Sequence, residues 1–177
     1  MNFGQLKLGI MSNLSEVFNK RAEKLNDHDP WRYGVELSEK ADLIELDWVM
    51  ENMTKGNLLD MACGTGRHCL ELAERIPDYE YHCFDFASNN IRILRSKLNE
   101  KGIKNVHPKV CDTGQMLSEY RGRKFSSLLS IGLIQYLNKK ELEDYYSDCH
   151  KLLEKNGLLM MKHPVSFAKT FTFDGYS

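Results

Sequence analysis

The stretch Leu58-Leu59-Asp60-Met61-Ala62-Cys63-Gly64-Thr65-Gly66-Arg67-His68 decides the fold. Its first half is a short apolar run of the length and composition of a buried strand. Its second half is a turn holding two glycines, followed by a helical pattern over residues 67–75. Without a Cβ, Gly64 and Gly66 let the main chain turn sharply and approach a ligand closely. The helix behind them points unpaired N–H groups at that ligand.

The same alternation continues outward. Apolar runs at 58–62, 79–84, 106–111, 125–131 and 157–162 read as strands. Helical patterns fill 88–100, with Ile91, Leu94 and Leu98 inward, and 138–155. Strands alternating with helices imply parallel crossovers and a sheet covered on both faces. The expected fold is therefore α/β, a doubly wound and mostly parallel sheet. Two further helices precede it. One spans 13–25, with Asn13 and Glu16 as a capping signal. The other spans 35–53, with Leu37, Ala41, Ile44 and Trp48 on one face. No linker or repeat divides the chain, so residues 1–56 form a helical cap and 57–177 the core of one globular unit.

Composition narrows the function. In 177 residues, 24 Lys and Arg stand against 25 Asp and Glu, a net charge of −1 that suggests neither a nucleic-acid nor a membrane partner. Apolar runs such as Leu158-Leu159-Met160-Met161 fall far short of the roughly 20 residues a bilayer requires. The first residues lack a secretory pattern. A cytoplasmic protein is expected. Cys63, Cys69, Cys83, Cys111 and Cys149 include no C-x-x-C pair and read as reduced, buried thiols. The six histidines show no paired spacing, and no metal is assigned.

In a doubly wound sheet, ligands bind beyond the carboxyl ends of the strands. Three acids fall there: Asp60 in the first strand, Asp85 nineteen positions after Gly66 at the end of the second, and Asp112 after the third. Each acid alone could be a helix cap. A dinucleotide site needs a small residue where Cys69 stands, which Cys69 satisfies, but Asp60 would repel a pyrophosphate. The same carboxylate suits a ligand carrying an ammonium and a sulfonium. Asp85 is placed to accept hydroxyls of an adenosine ribose.

Asp60-x-Ala62-x-Gly64-x-Gly66, then Asp85, then Asp112 resembles the pattern of class I S-adenosylmethionine-dependent methyltransferases over about 58–164. The resemblance implies S-adenosylmethionine as cofactor. Asp60, Ala62, Gly64 and Gly66 would lie against its methionyl part, Asp85 with neighbouring Phe86 at the ribose, and Asp112 with Thr113 at the adenine. The family often has glycine where Ala62 stands. It also implies that the N-terminal helices cover the cofactor, with Tyr33 helping to close the site.

The acceptor is expected beyond the fourth and fifth strands, where Gln135, Tyr136 and His163 are candidate substrate-binding residues. Tyr136, by its ring, and His163, as a base, are also candidates for catalysis. Methyl transfer to a small molecule is the leading reading. Two alternatives stay open: a non-catalytic cofactor-fold protein that serves as a partner subunit, and an NAD-dependent oxidoreductase, which Asp60 disfavours. Only fifteen residues follow Lys162, too few for another crossover helix and two strands. The last strands of such a sheet are thus expected to be missing: the chain is a fragment or a shortened enzyme, or else a second copy or a partner chain covers the fifth strand.

Overall fold

The computed structural model describes residues 35–163, with side chains from Ile44 onward, together with Glu16, Asn19 and Lys20. The elements are α1 (Val35–Asn52), β1 (Asn57–Met61), α2 (Arg67–Arg75), β2 (Glu80–Asp85), α3 (Ser88–Lys101), β3 (Val106–Val110), α4 (Met116–Glu119), β4 (Phe125–Ile131), α5 (Lys139–Leu152) and β5 (Leu153–Lys162). All strand pairs are parallel, in the order β3-β2-β1-β4-β5. The strand order reverses between β1 and β4, so the crevice beyond their carboxyl ends is the natural ligand position.

Alternating side chains of each strand feed two cores. Leu58, Leu129 and Met160 face one side, where Leu46 and Val49 of α1, Cys69 and Leu72 of α2, and Ile91, Leu94 and Leu98 of α3 cover them. Leu59, Met61, Phe84 and Leu128 face the other, under Met116 of α4 and Tyr145, Cys149 and Leu152 of α5. Fully burying such a side chain contributes about 1.5–3 kcal/mol. Pro108 interrupts no inner ladder because β3 is an edge strand. Asn138 and Glu141 form a reciprocal capping box that starts α5.

Three sequence expectations need correction. The strands of the first three units run one residue away from the expected limits, for example β2 at Glu80–Asp85. The helix expected at 138–155 ends at Leu152 and the chain enters β5 at once. There Leu153 pairs with Phe125, and a register shift, with Asn156 at φ 66°, brings Leu158 opposite Ser127. Helix α1 also buries a different face. Ile44 is 71% exposed and Trp48 40%, while Glu45, Leu46 and Val49 lie inside. A buried glutamate with cationic partners turned the helix by about one residue, and a hydrophobic count cannot foresee that. Leu37 and Ala41 lie outside the described side chains. Of the helix expected at 13–25, only Glu16, Asn19 and Lys20 are described, and they are helical. Among the described residues no helix is long and apolar enough to cross a membrane.

Candidate active site

The loop between β1 and α2 is held in a rare backbone shape. Ala62 (φ 57°), Gly64 (φ 57°) and Gly66 (φ 89°) all adopt the left-handed region. The N–H of Cys63 donates to Phe84 O at 2.9 Å and that of Gly66 to Cys63 O at 3.0 Å. Gly66 abuts α3: an added Cβ would stand 2.3 Å from Leu94 Cδ1. An added Cβ at Gly64 meets nothing within 4 Å, so the protein leaves that side of the loop open.

Asp85 is the anchor of this loop. Its Oδ2 accepts from Gly64 N at 2.9 Å, and its Oδ1 from Ala87 N at 2.8 Å and Asn90 Nδ2 at 3.1 Å. Burial pushes its carboxyl up, and the three donors pull it back. A carboxylate offers about four acceptor sites, so one remains for a ligand. Cys111 N donates to Asp85 O at 3.0 Å, joining the exit of β3 to the same rim. Asp112 is half-buried and forms a reciprocal capping box over Thr113–Gln115, its Oδ1 accepting from Gly114 N at 2.8 Å. Asp85 and Asp112 therefore each combine a capping role with a place on the ligand edge.

Asp60 is almost fully buried and its Oδ2 has no hydrogen-bond partner. Burial raises its carboxyl to about 6, against the nearby charges of His68 and Arg67 and the backbone N–H of Cys69. Two more buried polar atoms lack a well-formed bond, Ser130 Oγ, beside the Tyr145 hydroxyl, and Gln135 Oε1. Asp60 lies near the end of β1, Ser130 near the end of β4, and Gln135 in the turn that follows. Asp60 points to the face of the sheet that carries Leu58 and Leu129, and Ser130 to the opposite face, with Met61, Leu128 and Tyr145. Buried polar groups are nearly always paired, so the unpaired Asp60 Oδ2 at the end of β1 marks a place built for another molecule. A cationic, amine-bearing ligand fits the orphaned carboxylate, and the open Gly64 side gives it room.

The structure adds a group that sequence reasoning missed. Glu45 of α1, 5% exposed, accepts from His68 Nε2 at 2.7 Å, Arg67 Nη2 at 3.4 Å and Lys162 Nζ. Burial opposes its charge, but the bonds to His68 and Lys162 and the nearby Arg67 hold its carboxyl at about 2. No sequence signal links Glu45 to a helix 23 residues later and a strand 117 residues later.

The remaining candidates are more scattered. Tyr136 and Gln135 share a half-buried 3-10 turn, Ile134–Tyr136, beyond β4. His163 is exposed just past β5. Phe86 and Thr113 are half-buried beside Asp85 and Asp112. Tyr33 lies outside the described residues. All five cysteines are buried and unbridged. Among the described residues, no group of three or more His, Cys, Asp or Glu is placed to hold a metal ion.

Comparison with known proteins agrees with this geometry. A methyltransferase domain family model matches residues 58–157. A curated but uncharacterized protein of Rickettsia prowazekii (strain Madrid E) is 26% identical over 106 residues, 60% of this chain and 42% of that protein. The fold is shared with a structure of coclaurine N-methyltransferase bound to N-methylheliamine and SAH (TM-score 0.62, 20% identity, 70% of this chain and 35% of that one). It is also shared with an S-adenosylmethionine-dependent methyltransferase of Clostridium acetobutylicum ATCC 824 (TM-score 0.59, 18% identity, 86% and 56%). A DhpI-SAM-HEP complex gives a TM-score of 0.66 at 16% identity, over 86% of this chain and 64% of that one. The chain thus spans less than half the length of the curated relative it matches. With the glycine loop, the buried acid before it and the strand order 3-2-1-4-5 all in place, the chain belongs to the methyltransferase domain family, of the class I S-adenosylmethionine-dependent type.

Proposed function

We propose that the protein transfers a methyl group from S-adenosylmethionine to a small-molecule acceptor seated beyond β4 and β5. The observation that carries the reading is the buried, unpaired Asp60 Oδ2 just before the glycine loop, where strand order reverses. Asp60 holds the ammonium of the cofactor. The main chain at Ala62, Gly64 and Gly66 and the first N–H groups of α2 face its methionyl carboxylate. The open acceptor site of Asp85 takes a ribose hydroxyl beside Phe86, and Asp112 with Thr113 meets the adenine. Tyr33 closes the site from the N-terminal side.

Bound S-adenosylmethionine supplies a methyl group on a cationic sulfur that is already a good leaving group. The chain's own task is alignment, which can contribute roughly 7–11 kcal/mol. Gln135 fixes a donor group of the acceptor, and the Tyr136 ring faces the cation. His163 takes a proton when the acceptor arrives as a hydroxyl or ammonium. Near-neutral charge favours a metabolite over a nucleic acid, and the coclaurine N-methyltransferase structure that shares this fold is bound to a small molecule, N-methylheliamine. The outer edge of β5 pairs with no strand among the described residues and is the place for a partner chain or a further strand.

Calorimetry with S-adenosylmethionine, S-adenosylhomocysteine and NAD tests the cofactor. The first two should bind and NAD should not; binding of NAD alone would overturn the reading. Incubating the protein and labelled S-adenosylmethionine with a metabolite pool, read by mass spectrometry, tests the acceptor. Label found only on macromolecules would refute the small-molecule assignment.

A further inference from the structure

Helix α1 lies outside the alternating strand-and-helix unit that builds the cofactor crevice, yet it delivers one buried charge to its rim. Glu45 meets Arg67 and His68, the two residues directly after Gly66, and Lys162, the last residue of β5. Its side chain is 3% exposed, Arg67 is 32% and Lys162 54%. Removing Glu45 would leave two permanent cations, Arg67 and Lys162, beside a site meant for a cationic ligand. Its charge therefore sets the local potential, over and above docking the helix.

We propose that Glu45 is a positioning residue that sets the charge of the cofactor site, favouring the sulfonium of S-adenosylmethionine over the neutral thioether of S-adenosylhomocysteine. The inference rests on the S-adenosylmethionine reading above. Substrate and product differ by one methyl group and one positive charge, so the contacts to adenine, ribose and methionyl groups are common to both. A field acting on that one charge separates them, and the effect relieves inhibition by product. Asp60 acts in the same direction, but a carboxyl raised by burial supplies a smaller and pH-dependent share.

Affinities for both ligands, measured by calorimetry in E45Q and K162Q, test the idea. E45Q keeps the size and one acceptor for His68 while removing the charge. It should weaken S-adenosylmethionine about fivefold more than S-adenosylhomocysteine, the scale of one unit charge acting through a partly shielded site. K162Q removes a cation from the same cluster and should shift the ratio of the two constants the opposite way, by about twofold, because Lys162 is half exposed and screened. Equal weakening of both ligands in E45Q would reduce Glu45 to a structural anchor and overturn the proposal. If E45Q fails to fold, K162Q decides alone, and an unmoved ratio refutes it. Wild-type protein that binds neither ligand would instead defeat the cofactor reading itself.

Discussion

The main-chain N–H of Gly64 donates to Oδ2 of Asp85 at 2.9 Å, tying the exit loop of β1 to the end of β2. The bond is charge-assisted and partly buried, and Asp85 holds the start of α3 through Ala87 and Asn90 at the same time. Asp85→Asn keeps the volume but turns an NH2 group toward donors. It should lower stability by about 2 kcal/mol in urea unfolding and weaken S-adenosylmethionine by more than tenfold, since the loop and the ribose contact fail together.

Asp60 carries a stability penalty that comes from its burial. Its folded value of about 6 lies above the usual carboxylate range, so between about pH 4 and 6 the native state binds the proton more tightly. Its contribution to stability therefore falls as pH rises through that window, and the penalty is complete above it. His82, held neutral by burial and lowered to about 4, acts in the opposite sense across nearly the same range. The difference between Asp60→Asn and wild type isolates the aspartate. The variant should be about 2 kcal/mol more stable at pH 7.5 and nearly equal at pH 4, while losing most affinity for S-adenosylmethionine. A variant less stable at pH 7.5 would contradict the origin given for the raised value.

Two positions of the glycine loop separate folding from binding. Gly66→Ala drives a Cβ to 2.3 Å from the buried Leu94 at a φ of 89° and should cost about 2 kcal/mol or more. Gly64→Ala meets no protein atom, so chemical denaturation should show a loss of about 1 kcal/mol from its φ alone. The same change fills the open side and should abolish cofactor binding. Retained binding in Gly64→Ala would move the ligand away from this loop.

Ala62 sits at φ 57°, a strained region for any residue with a side chain. Ala62→Gly should raise the stability measured by urea unfolding by about 0.5–1 kcal/mol, with binding unchanged. A clear loss of stability would mean that the methyl group packs more favourably than the backbone strain costs.

Acceptor and cofactor residues should separate in kinetics. Gln135→Leu removes an orphaned acceptor atom and should raise KM for the methyl acceptor severalfold, leaving the calorimetric Kd for S-adenosylmethionine within a factor of two. His163→Ala should lower kcat for an acceptor that must lose a proton before it attacks the methyl group. Unchanged kcat at every pH would remove His163 as the base.

The glycine loop and the row of acids at the strand ends were largely legible in the sequence because their logic is local. Gly64 and Gly66 announce a turn, and Asp60, Asp85 and Asp112 follow apolar runs at strand spacing, so their arrival on one edge follows from parallel topology alone. The capping roles of Asp85 and Asp112 were legible as well, and the structure shows both acids accepting from main-chain N–H groups just after their strands. Helix α1 was less readable. Counting apolar residues put Ile44 and Trp48 inside, whereas a charged residue occupies the inner face beside Leu46 and Val49.

By itself the sequence determined the α/β alternation, the glycine turn and the row of acids, since each depends on backbone preference and on neighbours a few residues away. The tertiary structure alone decided that Asp60 Oδ2 stands unpaired, that Asp85 is three-quarters engaged, and that Glu45 meets Lys162 across 117 positions. Those relations depend on which charges are desolvated together. Desolvation is a property of the packed molecule, since only packing brings distant side chains out of water side by side.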